Sequence, residues 1–158
     1  MKVWCAKFRD WLLLKNHNHP KFYSFIPLLT EKLIEKNPKK ILEWGCGQST
    51  MLMQLLCPNA EIHSIEHDWR WFVRQKMSLH GVNIHFIPSG NNYATPDFPE
   101  KYFDLIFIDN DLYAHDCILS AKRFIKDDDV IIAHGVGIHK VPEGCKTTNI
   151  KYITGVIE

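Results

Sequence analysis

From Lys39 onward, short apolar runs alternate with amphipathic stretches. The runs are Ile41–Trp44, Ile62–Ile65, Ile84–Ile87, Leu105–Ile108 and Val130–Ala133; helical spacing fills Ser49–Leu56, Trp69–Leu79 and Tyr113–Ile125 between them. A strand buried on both faces reads as an unbroken apolar run, and strand–helix–strand alternation joins parallel strands by right-handed crossovers. The pattern predicts a doubly wound α/β domain over 39–158 with a mostly parallel sheet. One further β-like run, Tyr152–Ile157, follows.

The chain ahead of Lys39 has a different rhythm. Trp4, Phe8, Trp11 and Leu12 recur at helical spacing, so Lys2–Leu14 is expected to be an amphipathic helix that the polar stretch Lys15–Lys21 breaks. A second helix is expected near Ser24 as N-cap, with Pro27 in its first turn, Phe25, Ile26, Leu29 and Leu33 on one face, and Asn37-Pro38 as the stop. Residues 1–38 are thus expected to form a helical cap or lid on one compact domain.

Composition narrows the classes. The 158 residues suit a single domain, and 46% hydrophobic residues suffice for a core. The apolar runs are too short to span a bilayer, and Arg9 and Asp10 interrupt the N-terminal one before any cleavage site, so neither a secretory signal nor a membrane partner is expected. Cys5, Cys46, Cys57, Cys117 and Cys145 lack paired spacing and read as free thiols in a reducing, cytoplasmic setting. The formal charge of +1, with dispersed Lys and Arg, gives no basic block for nucleic acid.

Candidate chemistry gathers at the ends of the apolar runs. The first run continues into Glu43-Trp-Gly45-Cys46-Gly47-Gln-Ser49-Thr50, an acidic strand end followed by a glycine turn and a helix start. Glycines let a ligand approach the backbone, and a helix N-terminus offers free N–H groups. Glu43 would repel a pyrophosphate and favour a cationic ligand, and Thr50 stands where a dinucleotide site wants its third glycine, so a nicotinamide oxidoreductase is disfavoured. Glu66 ends the second run 21 residues after Gly45, the spacing of a ribose-binding carboxylate, while Asp68 suits a helix N-cap. The fourth run ends in Asp109-Asn110-Asp111, and the fifth in His134-Gly135. Asp104, at the entrance of the fourth, is expected to be structural, and Asp111 to cap the next helix.

Taken in order, Leu-Glu-x-Gly-x-Gly, Ser-Ile-Glu-x-Asp and Phe-Asp-Leu-Ile-Phe-Ile-Asp resemble the class I S-adenosylmethionine-dependent methyltransferases, in particular their small-molecule branch, over about Lys39 to Gly137. The resemblance implies S-adenosylmethionine as cofactor and an O- or N-nucleophile of a small molecule as acceptor. It implies that Glu43, Gly45, Cys46, Gly47 and Ser49 line the methionine moiety, that Glu66, with His67 beside it, takes the ribose, and that Ser89, Gly90 and Asn91 flank the adenine. The Asp that often accepts from the adenine amino group is missing here. Asp109 would face the transferring methyl, and His134 would be the general base. The family's divalent-metal members use an Asp-Asn pair where this chain has His134-Gly135, so the set is incomplete and no metal is expected.

The other histidines, His63, His80 and His85 among them, read as structural; His115 is placed near the crevice, and His17 and His19 within a lid. Trp69, Trp71 and Phe72 suit either core packing or an adenine stack. Two other functions stay open: aminopropyl transfer on the same frame, and a non-catalytic or partner-completed binding module. The latter arises because only about 21 residues follow Gly137, where the family places two antiparallel strands. One strand is expected to be missing from this shortened end or merged into Val136–Val141, and the sheet edge so exposed would favour a homodimer.

Overall fold

The computed structural model describes residues 24–90, 92–110, 112–136, 141–151 and 154–158. The helix expected over Lys2–Leu14, together with His17 and His19, lies outside them.

Helix α1 (Ile26–Lys36) has Phe25 rather than Ser24 as its N-cap residue. No side chain caps it, and Pro27, which has no N–H to satisfy, occupies the first turn. It ends as the sequence predicts: Asn37 turns left-handed at φ 43°, and its N–H donates to the Leu33 carbonyl. Strands and helices then alternate: β1 (Lys40–Trp44), α2 (Gln48–Leu56), β2 (Glu61–Glu66), α3 (Trp69–Ser78), β3 (Asn83–Phe86), β4 (Phe103–Ile108), α4 (Ala114–Phe124) and β5 (Ile125–His134). Strands β6 (Thr147–Lys151) and β7 (Thr154–Ile157) complete the order.

Among the described residues, seven strands form one sheet in the order β3-β2-β1-β4-β5-β7-β6. The first five run parallel, and β7 enters antiparallel between β5 and β6. The order reverses at β1 and β4, the switch point beside which open α/β sheets bind ligands. The expectation of a missing strand is corrected here. Thr147–Lys151 is a strand, but as the outermost one its sequence is polar and gives no apolar run, and the predicted single run Tyr152–Ile157 is only its partner. The edge of β5 is accordingly covered by β7, and the sheet ends on that side at β6.

The two-residue period of the strands sorts the core. Ile41, Ile62, Leu105, Phe107 and Ile132 face α1 and α2, whose Leu28, Leu29, Leu33, Leu52 and Met53 are buried against them. Leu42, Trp44, Ile65, Ile106 and Ile131 face α4 and the segment around Tyr93. Glu43, Glu66 and His134 continue the first face at the carboxyl ends of β1, β2 and β5.

The opposite edge is held by Asp104, as the sequence predicts. One of its oxygens accepts the Lys39 and Lys40 N–H groups at 2.7 and 2.9 Å, and the other accepts from Lys126 Nζ. Burial raises its carboxyl, yet these three donors outweigh that and hold it below the usual range.

Candidate functional site

The register sets the site. Trp44 pairs with Ile65 on one side and Ile108 on the other, and Ile108 with Ala133. The next residues along these strands, Gly45, Glu66, Asp109 and His134, therefore line one edge of the sheet at strand spacing. Four of the sequence-predicted residues thus share that edge.

Gly45 has φ +96°, and a Cβ built on it would stand 2.2 Å from the Asp109 carbonyl oxygen. Its N–H donates to the Ile65 carbonyl at 2.9 Å, while the Asp109 N–H donates to the Trp44 carbonyl at 2.8 Å. Glycine is thus required by the close approach of the β4 loop, and the glycine turn and Asp109 form one packed unit. A Cβ at Gly47 would meet only Trp71, at 3.9 Å, and one at Gly90 nothing within 4 Å. Ser89 and Gly90 lie exposed beyond β3, and Asn91 lies outside the described residues.

Glu43 is wholly buried beneath this turn. The hydroxyls of Ser49, Thr50 and Ser64 all donate to its two oxygens. These residues form the floor of the site. Gly47 N–H donates to Thr50 Oγ1 at 2.8 Å, which is half of a capping box, since glycine has no side chain to complete it. The first turn of α2 consequently keeps N–H groups that no side-chain cap takes. Cys46 is buried; its carbonyl accepts the indole N–H of Trp71, and burial first, then Glu43, push its thiol up to about 11. Cys57 and Cys117 are also free, buried and raised by burial.

Glu43 is raised by burial to about 7, against the pull of its three hydroxyl donors and with a further push from Asp109. The folded chain holds this proton more tightly than the unfolded chain, so the group destabilises the fold increasingly as pH rises from 4.5 to about 7. The penalty above that range is about 3 kcal/mol. Glu43→Gln is expected to raise the melting temperature at pH 8 and to leave it nearly unchanged at pH 4, as thermal denaturation at the two pH values would show. An equal gain at both would place the effect outside ionisation.

At the end of β2, Glu66 is 4% exposed and its Oε1 accepts the N–H groups of His67 and Asp68, both at 2.8 Å. Its Oε2 has no hydrogen-bond partner among the described residues. His67 Nδ1 is buried and also without one; it lies 3.4 Å from Glu66 Oε1 but out of hydrogen-bonding geometry. Asp68 caps α3 as expected, its Oδ1 accepting the Trp71 N–H at 2.7 Å.

Beyond β4, the expected cap Asp111 lies outside the described residues, no side-chain hydrogen bond caps α4 at its N-cap Tyr113, and Asn110 instead holds the turn ahead of the helix. Its Oδ1 accepts the Tyr113 N–H at 2.7 Å, while its Nδ2 donates to the Tyr93 hydroxyl at 2.8 Å. Tyr93 is fully buried, accepts the Trp44 indole N–H on its carbonyl at 3.1 Å, and packs on His67 and Tyr113; burial pushes its hydroxyl pKa upward. His134 shares a 2.8 Å hydrogen bond between its Nδ1 and Thr154 Oγ1 of β7, and its ring meets Phe25 edge-on.

Sequence reasoning missed Asn110, Tyr93 and Thr154, and left the role of Trp71 open. Asn110 had a signal, three residues before Tyr113; Thr154 had none, because its role depends on a strand pairing.

His63 Nδ1 is 3.0 Å from His85 Nε2, and its Nε2 is 2.8 Å from Glu61 Oε1. His115 is exposed beside Asp116. Among the described residues, no three His, Cys, Asp or Glu side chains converge as a metal ion would need.

No protein-family profile and no curated protein matches the chain. Solved structures do. A Staphylococcus aureus protein classed as a caffeoyl-CoA O-methyltransferase aligns over 98% of both chains with a TM-score of 0.65 and 16% identity. A methyltransferase-like protein from Silicibacter pomeroyi gives a TM-score of 0.65 and 16% identity over 85% of this chain and 84% of its own. The plantazolicin methyltransferase BpumL, solved with a desmethyl substrate analogue and S-adenosylhomocysteine, gives 0.53 and 17% over 79% and 51%. Of others, including BpumL, the chain spans only 43% to 51% of the length. The chain therefore has the Rossmann-like fold of the S-adenosylmethionine-dependent methyltransferases.

Proposed function

We propose that this chain binds S-adenosylmethionine and transfers its methyl group to an oxygen or nitrogen of a small molecule. The observation that carries this is the row Gly45, Glu66, Asp109 and His134 at consecutive register positions on the carboxyl edge. The donor set fits the cofactor's chemistry: Glu66 Oε2 can accept from ribose hydroxyls, the open N–H groups at α2 suit a carboxylate, and Glu43 and Asp109 favour a cation. The buried, unpartnered Nδ1 of His67 is a polar atom at the same edge that a ligand could satisfy.

When bound, the cofactor supplies a methyl group already activated on a sulfonium. The protein's task is then to align the acceptor and take its proton. Asp109 is held by its N–H on Trp44 and by the packing of Gly45, so it would orient the acceptor. His134 follows the register pair Ile108↔Ala133, which puts it beside Asp109, and it would take the proton.

Titration calorimetry with S-adenosylmethionine and S-adenosylhomocysteine tests the reading. Both should bind, and Glu66→Ala should weaken each by about 1.5–3 kcal/mol. Unchanged affinity in a folded Glu66→Ala protein would remove Glu66 from the site. Failure of both ligands to bind the native chain would end the proposal.

A further inference from the structure

Helix α3 turns its apolar side chains outward. Trp69, Trp71, Val73 and Met77 are 58%, 39%, 37% and 77% exposed, whereas its one buried residue is Gln75. At about 100° per residue, Trp69, Val73 and Met77 form one stripe spanning about 80° of the helix. Exposed Lys76 borders that stripe on one side, and exposed Arg70 and Arg74 border it on the other. No acidic residue occurs between Trp69 and Ser78. The Trp69 ring is braced by Phe72 and Phe86 at centroid distances of 5.5 and 5.0 Å, so it is presented to solvent with little freedom to fold back.

Charge selects the occupant of this face. A second copy meeting it across a two-fold axis would set Arg70, Arg74 and Lys76 against themselves. Residues 1–23 carry Lys2, Lys7, Arg9, Lys15 and Lys21 against Asp10 alone, so their charge is not complementary to this face either. An anionic surface is complementary. A convex apolar stripe with tryptophan, flanked on both sides by long cationic side chains, has the make-up of a helix lying in a lipid interface.

We propose that the outer face of α3 docks the protein on an anionic lipid bilayer, with Trp69, Val73 and Met77 at the headgroup boundary and Arg70, Arg74 and Lys76 on lipid phosphates. This goes beyond the sequence-based reading, which expects no membrane partner. The contact is peripheral, since no helix among the described residues is long and apolar enough to cross a membrane.

Co-sedimentation of the full chain with vesicles tests it. Binding is expected to vesicles of equal parts phosphatidylcholine and phosphatidylglycerol, to weaken as salt is added, and to be absent with phosphatidylcholine alone. The double variant Val73→Glu, Met77→Glu should keep its melting temperature and lose about tenfold or more in vesicle affinity. Arg70→Gln and Lys76→Gln should each cost about fivefold. The proposal is overturned if the native chain ignores anionic vesicles, or if the double variant binds them as well as the native chain, which would place the contact elsewhere. Self-association of the native chain that Met77→Glu abolishes would also overturn it, in favour of a second copy.

Discussion

Gly45→Val is expected to destabilise the protein by about 3–5 kcal/mol, the sum of a branched residue at positive φ and an overpacked contact. The clash is with protein, not ligand: the added Cβ would stand 2.2 Å from the Asp109 carbonyl oxygen, and backbone cannot rotate aside as a side chain can. Gly45→Ala meets the same atom and should differ from valine only in degree. Gly90→Ala is the control, because its Cβ would touch nothing within 4 Å and only the backbone conformation is disfavoured. Chemical denaturation of the three variants gives the ranking. Because Gly45 and Asp109 are packed together, any Gly45→Ala protein that folds should also carry a displaced aspartate and lose turnover beyond what cofactor affinity explains. If Gly45→Val is as stable as the native chain, the close approach of the two loops is not a feature of the folded protein.

The second large effect is expected at His134. On the proposed reaction, His134→Ala should lower kcat by about 10²–10⁴-fold with cofactor affinity little changed, the range for a removed general base. The structure adds a positioning residue. With Nδ1 protonated, His134 donates to Thr154 Oγ1, and Nε2 then carries the lone pair that accepts a proton. Thr154→Val should therefore reduce kcat by a smaller factor, and Thr154→Ser should restore it; a purely structural Thr154 would not show that rescue. Methyl transfer to a panel of phenols, amines and carboxylates supplies the assay. Adding a chelator separates this route from a metal-assisted one, which would lose activity and recover it with magnesium. If the cofactor binds and no acceptor is turned over by the native chain, a non-catalytic binding module replaces the enzyme.

The parts of this fold that a sequence reveals are those that bury both faces of a strand. Ile41–Trp44 and Leu105–Ile108 have apolar neighbours on either side, so their runs are unbroken and their bounds shift by only one or two residues. The first half of β5 shows the opposite case. Lys126, Asp127, Asp128 and Asp129 interrupt the apolar pattern while the strand is already formed, with a register irregularity opposite Phe103 and Leu105. Outermost β6 failed for a related reason, having no buried face to write into its sequence. Within the site, the glycine turn and the strand-end acids were legible because tight turns and carboxylates have few substitutes. Glu43 was legible as a residue but not in its setting: nothing in Leu-Glu-Trp-Gly states that three hydroxyls from α2 and β2 close over its oxygens. Partners distant in the chain, such as Thr154 for His134 or Tyr93 for Asn110, follow from packing alone.

The position of β7 bears on how the chain must be assembled during synthesis. The five parallel strands are translated first and can form their crossovers as they emerge, leaving the outer side of β5 unpaired. Strand β7 cannot be added by simple extension, because β6 precedes it in the chain yet lies outside it in the sheet. Local pairing of β6 with β7 has the shorter loop to close, so the hairpin should form first and dock as a unit onto β5. Until it does, His134 lacks Thr154, and a nascent chain stalled before this step would present a bare sheet edge to chaperones or to a neighbouring chain.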